Sequence, residues 1–177
     1  MLEIVYETHS MTTDNEQGIA TGWLPGRLSE AGRGHARALG ERRRNDGFAA
    51  VFASDLTRAV ETAEIAFAGS GLEVRLDPRL RECNYGELNG RPVSEIDVER
   101  LHRIDGPFPG GESYRDVVDR TRSFLEELSP DFDSSRVLLI AHSANRWALE
   151  HLVLGTALDD LVAAPFEWQE GWIYRLG

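Results

Sequence analysis

Short apolar runs alternate with longer amphipathic stretches along the chain, and this alternation limits the fold more than any other feature. Leu2–Thr8 (LEIVYET) reads as a strand at the start. Ser29–Asn45 follows as a helix rich in alanine and arginine, with Ser29 at its N-cap. Ala49–Ala53 is a short run suited to a buried strand. Across Asp55–Phe67, Leu56, Val60, Ala63 and Phe67 fall on one helical face. Leu72–Leu76 alternates apolar and polar residues, which suits a strand near a sheet edge. Ser113–Leu128 carries the clearest helical stripe, and Ser113-x-x-Asp116 resembles a capping box. The polar stretch Ser129–Ser135 reads as an ordinary loop. Arg136–Ala141 is another buried strand, Ser143–Leu154 the helix after it, and Trp172–Leu176 a closing strand. This order predicts an α/β fold with a mainly parallel sheet flanked by helices.

Composition narrows the chemistry. The 177 residues suit one compact domain, with no repeat or low-complexity linker. All 19 basic residues are arginine. Without lysine there is no Schiff base, no P-loop lysine and no lysine general base. Codon bias is as simple a source of that absence as function. A net charge of −11 argues against nucleic acid and anionic membrane surfaces as partners. The single Cys83 can form neither an intrachain disulfide nor a cysteine metal cluster. The N-terminal residues lack a signal-peptide pattern. The longest apolar run, Val137–Ala141, falls far short of the about 20 residues of a membrane span. A cytoplasmic location is the default expectation.

In open parallel sheets, ligands sit beyond the carboxyl ends of the strands. His9 follows the first expected strand, Ser54, Asp55 and Arg58 the second, and His142 the strand that leads into the helix opening at Ser143. Alone, each has a plain structural alternative, a boundary histidine or a solvated arginine. Together they define a candidate pocket. Two histidines and an arginine suit phosphoryl transfer without a metal. One neutral imidazole can attack phosphorus, while the other and a guanidinium hold the equatorial oxygens. Backbone N–H groups near Ser143 would add a positive helix end, and Glu82 is a plausible acid for the leaving alkoxide. A metal site is the rival use of two histidines, but no H-x-x-x-H spacing supports it. His35, His102 and His151 read as structural.

These residues lie in a series of motifs that resembles the histidine phosphatase superfamily, also called the phosphoglycerate mutase-like family. The segments are Thr8-His9-Ser10 through Asn15, Thr21-Gly22-Trp23, Leu28–Gly32, Ser54–Ala59, Leu80–Gly90, Pro109–Ser113 and Val137–His142, in the family's order. The resemblance implies a three-layer, phosphoglycerate mutase-like domain over residues 1–177, with a small cap at about 83–112. It implies His9 as the nucleophile, Arg58 and His142 as phosphate clamps, and Glu82 as proton donor and later base. Asn15, Thr21 and Gly22 would contact substrate. No cofactor or metal is implied. The expected partners are a small phosphorylated substrate and inorganic phosphate. The sequence leaves the oligomeric state open, a homodimer included.

Three departures from the family pattern bear on activity. Thr8 stands where the family has arginine, and Ser10 and Ser143 replace glycines. Losing an arginine contact to phosphate costs several kcal/mol of transition-state stabilisation. Arg146, one turn beyond His142, is a candidate substitute, and the Ser10 and Ser143 hydroxyls are candidate donors. The cap stretch Arg91–Gly111 is short, which favours water reaching a phosphohistidine. Phosphomonoester hydrolysis is therefore the leading expectation. A phosphate-binding or regulatory module with little turnover, because of Thr8, and a phosphoglycerate mutase-type phosphotransferase are the alternatives.

Overall fold

The computed structural model describes residues 1–177. The strands are β1 (Leu2–Thr8), β2 (Ile19–Ala20), β3 (Ala50–Ala53), β4 (Val74–Leu76), β5 (Arg91–Pro92), β6 (Arg136–Ala141) and β7 (Trp172–Leu176). The helices are α1 (Thr13–Glu16), α2 (Glu30–Arg43), α3 (Thr57–Phe67), α4 (Val93–Glu99), α5 (Tyr114–Asp131), α6 (Ser143–Leu154) and α7 (Leu158–Ala163). The main sheet has five strands in the order β4-β3-β6-β1-β7. All pairings in it are parallel except β1 with β7. The remaining two strands, β2 and β5, form a small antiparallel pair near the cap.

Both faces of the central strands are buried, which explains why they read as unbroken apolar runs. On one face Ile4, Tyr6, Phe52 and Leu139 pack with Phe124, Leu125 and Leu128 of α5 and Leu149 of α6. On the other, Val5, Val51, Leu138 and Ile140 meet Leu39 of α2 and Ala63 and Phe67 of α3. A third cluster ties the cap to the body. There Cys83, Tyr85, Ile96, Ile104 and Phe108 pack against Tyr114 of α5 and Trp147 of α6.

Local chemistry sets the element ends. Ser29 caps α2 by accepting from the Gly32 N–H. Ser113 and Asp116 form the expected capping box on α5. Helix α5 continues to Asp131, through Pro130, into the stretch expected to be a loop. Pro130 has no N–H to donate to the Glu126 carbonyl, and the helix ends one residue later. Phe132 then packs edge-on against Phe52, which holds the helix end down. The edge strand is shorter than expected. Gly71 takes a left-handed φ of 76°, and the Ser70 hydroxyl accepts from the Leu72 N–H, so a turn occupies the first residues.

The strand order places the C-terminal ends of β1, β3 and β6 side by side. Thr8 pairs with Ala141 across the β1–β6 ladder, and the His9 N–H donates to the Ala141 carbonyl (2.9 Å). His9 and His142 therefore leave the sheet as neighbours.

Candidate active site

Four side chains from four chain segments meet above that edge. His9 follows β1, Arg58 lies in the first turn of α3, Glu82 follows the turn after β4, and His142 caps α6. The two imidazole rings lie 5.1 Å apart, centroid to centroid, and are tilted by 51°.

His9 Nδ1 lies 2.7 Å from the Ser10 carbonyl oxygen. A carbonyl can only accept, so Nδ1 carries the proton and Nε2 keeps its lone pair. The Ser10 N–H in turn donates to Thr62 Oγ1 (3.0 Å), and the Thr62 hydroxyl donates to the Arg58 carbonyl (2.7 Å). Burial, and then the Arg58 charge, push the His9 pKa down from its usual value to about 3. His142 is also held well below the usual histidine value, by burial first and then by Arg58 and His9. Both rings are neutral at pH 7, the form an attacking imidazole needs.

His142 is completely buried and Arg58 is 3% exposed. Neither ring nitrogen of His142, nor Arg58 Nη1, has a partner in the protein. Buried groups of this kind are costly unless a ligand satisfies them. Arg58 Nη2 donates to the Gly22 carbonyl (2.8 Å), which fixes the direction of its guanidinium. Tyr6, buried beneath, donates its hydroxyl to the His142 carbonyl (2.6 Å).

Glu82 Oε1 accepts from the Cys83 N–H (2.8 Å) and the Ala144 N–H (3.3 Å). These two bonds, one of them from the amino end of α6, fix the direction of the Glu82 carboxyl group. The backbone around Glu82 is clamped. Trp23 Nε1 and Arg120 both donate to the Glu82 carbonyl (2.7 and 3.0 Å). Arg120 also donates to the Arg79 carbonyl (2.6 Å) and pairs with the Glu112 carboxylate (2.9 and 3.1 Å). Arg81 stacks on Trp23 at 4.7 Å and pairs twice with Asp55 (2.7 and 2.6 Å).

Asn15 and Thr21, two of the other expected contact residues, bond within their own loop. Asn15 Oδ1 accepts from the Thr12 N–H (3.0 Å), closing a capping box on α1. The Thr21 hydroxyl donates to Asp14 (2.7 Å). Gly22 has φ of 56°, and a side chain there would overlap Asn89 Oδ1. Ser10 and Ser143 lie beside His9, along one groove. Arg146 does not join them. Its Nη1 pairs with Glu150 (2.7 Å) and its guanidinium stacks over Trp172 at 5.0 Å. The i, i+4 acid and the ring of the returning strand set its direction.

The groove beside His9 has a volume of about 620 Å³. It runs between α2 and residues 164–171, and His35 is among the residues that line it. Sequence reasoning also missed Arg120, Thr62 and Tyr6. No local pattern marks them, because each acts across a long sequence separation.

The profile described as "Histidine phosphatase superfamily (branch 1)" matches residues 8–171. The chain belongs to this superfamily. It is 34% identical over 163 residues to the "Probable phosphoglycerate mutase GpmB" of Erwinia tasmaniensis, covering 88% of this chain and 76% of that one. Among solved structures, Bacillus stearothermophilus YhfR superposes with a TM-score of 0.88 at 26% identity, over 100% of this chain and 92% of that one. A mycobacterial glucosyl-3-phosphoglycerate phosphatase superposes with a TM-score of 0.79 at 30% identity, over 91% and 83% of the two chains. These likenesses agree with the expected three-layer fold. No helix is long and apolar enough to cross a membrane.

Proposed function

We propose that the protein hydrolyses a small phosphate monoester through a phosphohistidine on His9. The observation that carries this reading is the neutral His9, with its Nε2 lone pair free, beside the unpartnered nitrogens of Arg58 and His142. His9 Nε2 attacks phosphorus as the bond to the ester oxygen breaks. Protonated Glu82 gives its proton to the leaving oxygen. Arg58 and His142 hold the equatorial oxygens while charge develops. Water then attacks the phosphorus, Glu82 takes its proton, and the bond to Nε2 breaks to release inorganic phosphate.

The names of the relatives raise a second reading, transfer of phosphate between positions of a phosphoglycerate. The cap argues against it. A phosphoglycerate carries a carboxylate that needs its own cation. The cap arginines are already paired within their own segment: Arg91 with Glu95 (3.0 Å), Arg100 with Asp97 (3.1 Å) and Arg103 with Glu99 (2.6 Å).

The test is brief exposure to a radiolabelled generic phosphate ester, followed by a search for acid-labile label. Label on the wild-type protein and none on His9→Ala is expected, with inorganic phosphate as product. Absence of label and of phosphate release across sugar, nucleotide and small esters overturns the reading. Phosphate appearing only at another position of the substrate would support the mutase.

A further inference from the structure

We propose that Arg81 is a positioning residue which, through Asp55 and Trp23, fixes the acid Glu82 relative to the phosphate clamp Arg58. This rests on the phosphatase reading and adds to that site a residue that acts without touching the ester.

The contacts close a ring. Arg58 Nη2 donates to the Gly22 carbonyl (2.8 Å). The next residue, Trp23, donates from Nε1 to the Glu82 carbonyl (2.7 Å). Arg81 directly precedes Glu82, and its guanidinium lies over the Trp23 ring at 4.7 Å. Arg81 Nε and Nη2 donate to the two Asp55 oxygens (2.7 and 2.6 Å). From Asp55 the chain returns through Leu56 and Thr57 to Arg58 at the start of α3. Segments far apart in sequence are thus joined end to end, and Arg58 and Glu82 are both members of the ring. A further link lies outside it, where the Trp23 and Tyr85 N–H groups both donate to Asn89 Oδ1 (3.3 and 3.0 Å).

The Arg81 pair supplies direction more than stability. Its side chains are 30% and 26% exposed, and an isolated pair that open adds little to stability. This pair is bidentate, and the Trp23 ring limits the swing of the guanidinium. The bond to Arg81 holds the Asp55 carboxyl below the usual carboxylate range, so the pair stays ionised at neutral pH. Direction is what Glu82 needs. Both protein donors to its carboxyl reach Oε1, which leaves Oε2 to serve the leaving oxygen. A displaced Arg81 shifts the backbone that carries this oxygen, and proton transfer falls steeply with misplacement. Arg58 keeps its own hold on the Gly22 carbonyl.

The test is a leaving-group series. 4-Nitrophenyl phosphate releases a phenolate that departs without a proton, phenyl phosphate a poorer leaving group, and glycerol 2-phosphate an alkoxide that needs the acid. The quantity compared is kcat/KM, which covers the steps up to release of the alcohol and not the later attack of water. Arg81→Gln should lower it about tenfold for the glycerol ester, less for the phenyl ester and hardly at all for the nitrophenyl ester. Asp55→Asn should give the same pattern, and the double variant should be no worse than the more affected single one. Arg81→Lys should recover only part, since an ammonium cannot hold both oxygens in a fork. Inhibition by inorganic phosphate should stay near that of the wild type, which shows that the variants are folded with Arg58 and His142 in place. An equal loss on all three esters makes Arg81 a structural brace and overturns the proposal. So do unchanged rates in both Arg81→Gln and Asp55→Asn. Either result leaves the phosphatase reading standing. Failure of the wild-type protein to hydrolyse any of the esters overturns that reading and the proposal with it.

Discussion

The rings of His9 and His142 lie 5.1 Å apart with no acid bonded to either. Each is held neutral by burial and by the Arg58 charge. The unfolded chain binds protons on these histidines near pH 6.5, whereas folded His9 does so only near 3. Between those values the unfolded state binds more protons, so stability falls as the pH falls. The contribution is complete above about pH 6.5. Melting temperature should drop steadily from pH 7 to 4.5, and the drop should be much smaller in a His9→Gln, His142→Gln double variant. A parallel drop in both proteins would show that other groups govern acid stability.

Gly22 combines a left-handed backbone with a close approach to Asn89, and its carbonyl holds Arg58. Gly22→Ala strains both. The expected loss is about 1–3 kcal/mol of stability. A tenfold or larger fall in kcat/KM should accompany it, as the guanidinium loses its support. Denaturant titration and steady-state kinetics check the two effects separately.

Arg120 is a positioning residue for Glu82, acting through backbone carbonyls and Glu112. Arg120→Ala should cost about 2–3 kcal/mol, because three acceptors lose a charged donor. It should also lower kcat about tenfold with little change in KM. Arg120→Lys should recover part of the stability and less of the kcat, since an ammonium cannot span all three acceptors. A change confined to stability would leave Arg120 a purely structural brace.

Arg58 and Arg146 should respond in opposite ways. Arg58→Ala removes a buried guanidinium whose Nη1 faces no protein acceptor. It should reduce kcat/KM about 100- to 1,000-fold. Arg146→Ala breaks a pair with Glu150 and a stack on Trp172, so it should lower stability by about 1 kcal/mol and leave turnover near wild type. Comparable kinetic losses in the two variants would return Arg146 to the site.

Thr8 pairs with Ala141 in the ladder and lines the groove beside His9 and Ser143. Thr8→Arg would add a guanidinium at the position where the family pattern has one. At least a tenfold rise in kcat/KM is expected if phosphate is under-neutralised here. Unchanged kinetics would mean that the existing donors already suffice.

The fold was readable because its signals are local. Ser29 and Ser113 mark helix starts, and the run through Val137–Ala141 marks a strand buried on both faces. His9, Arg58 and His142 were readable as a group because parallel strands gather their carboxyl ends at one edge. What the sequence hid depends on distant pairing. Nothing near Arg120 signals that it reaches Glu82, and nothing near Phe166 signals that it lines the groove beside His9. Arg146 misled for the opposite reason. Its proximity in sequence to His142 suggested a shared site, while Glu150 and Trp172 set its direction.

The hydrogen bond from the His9 amide to the Ala141 carbonyl makes the spacing of the two imidazoles a property of the sheet. Loops and cap can then fray without separating them. The amide of His9 should exchange with solvent as slowly as those of the β1–β6 core, by whole-molecule opening. The two histidines should consequently separate only with global melting, with no temperature range in which a folded body carries a dispersed pair.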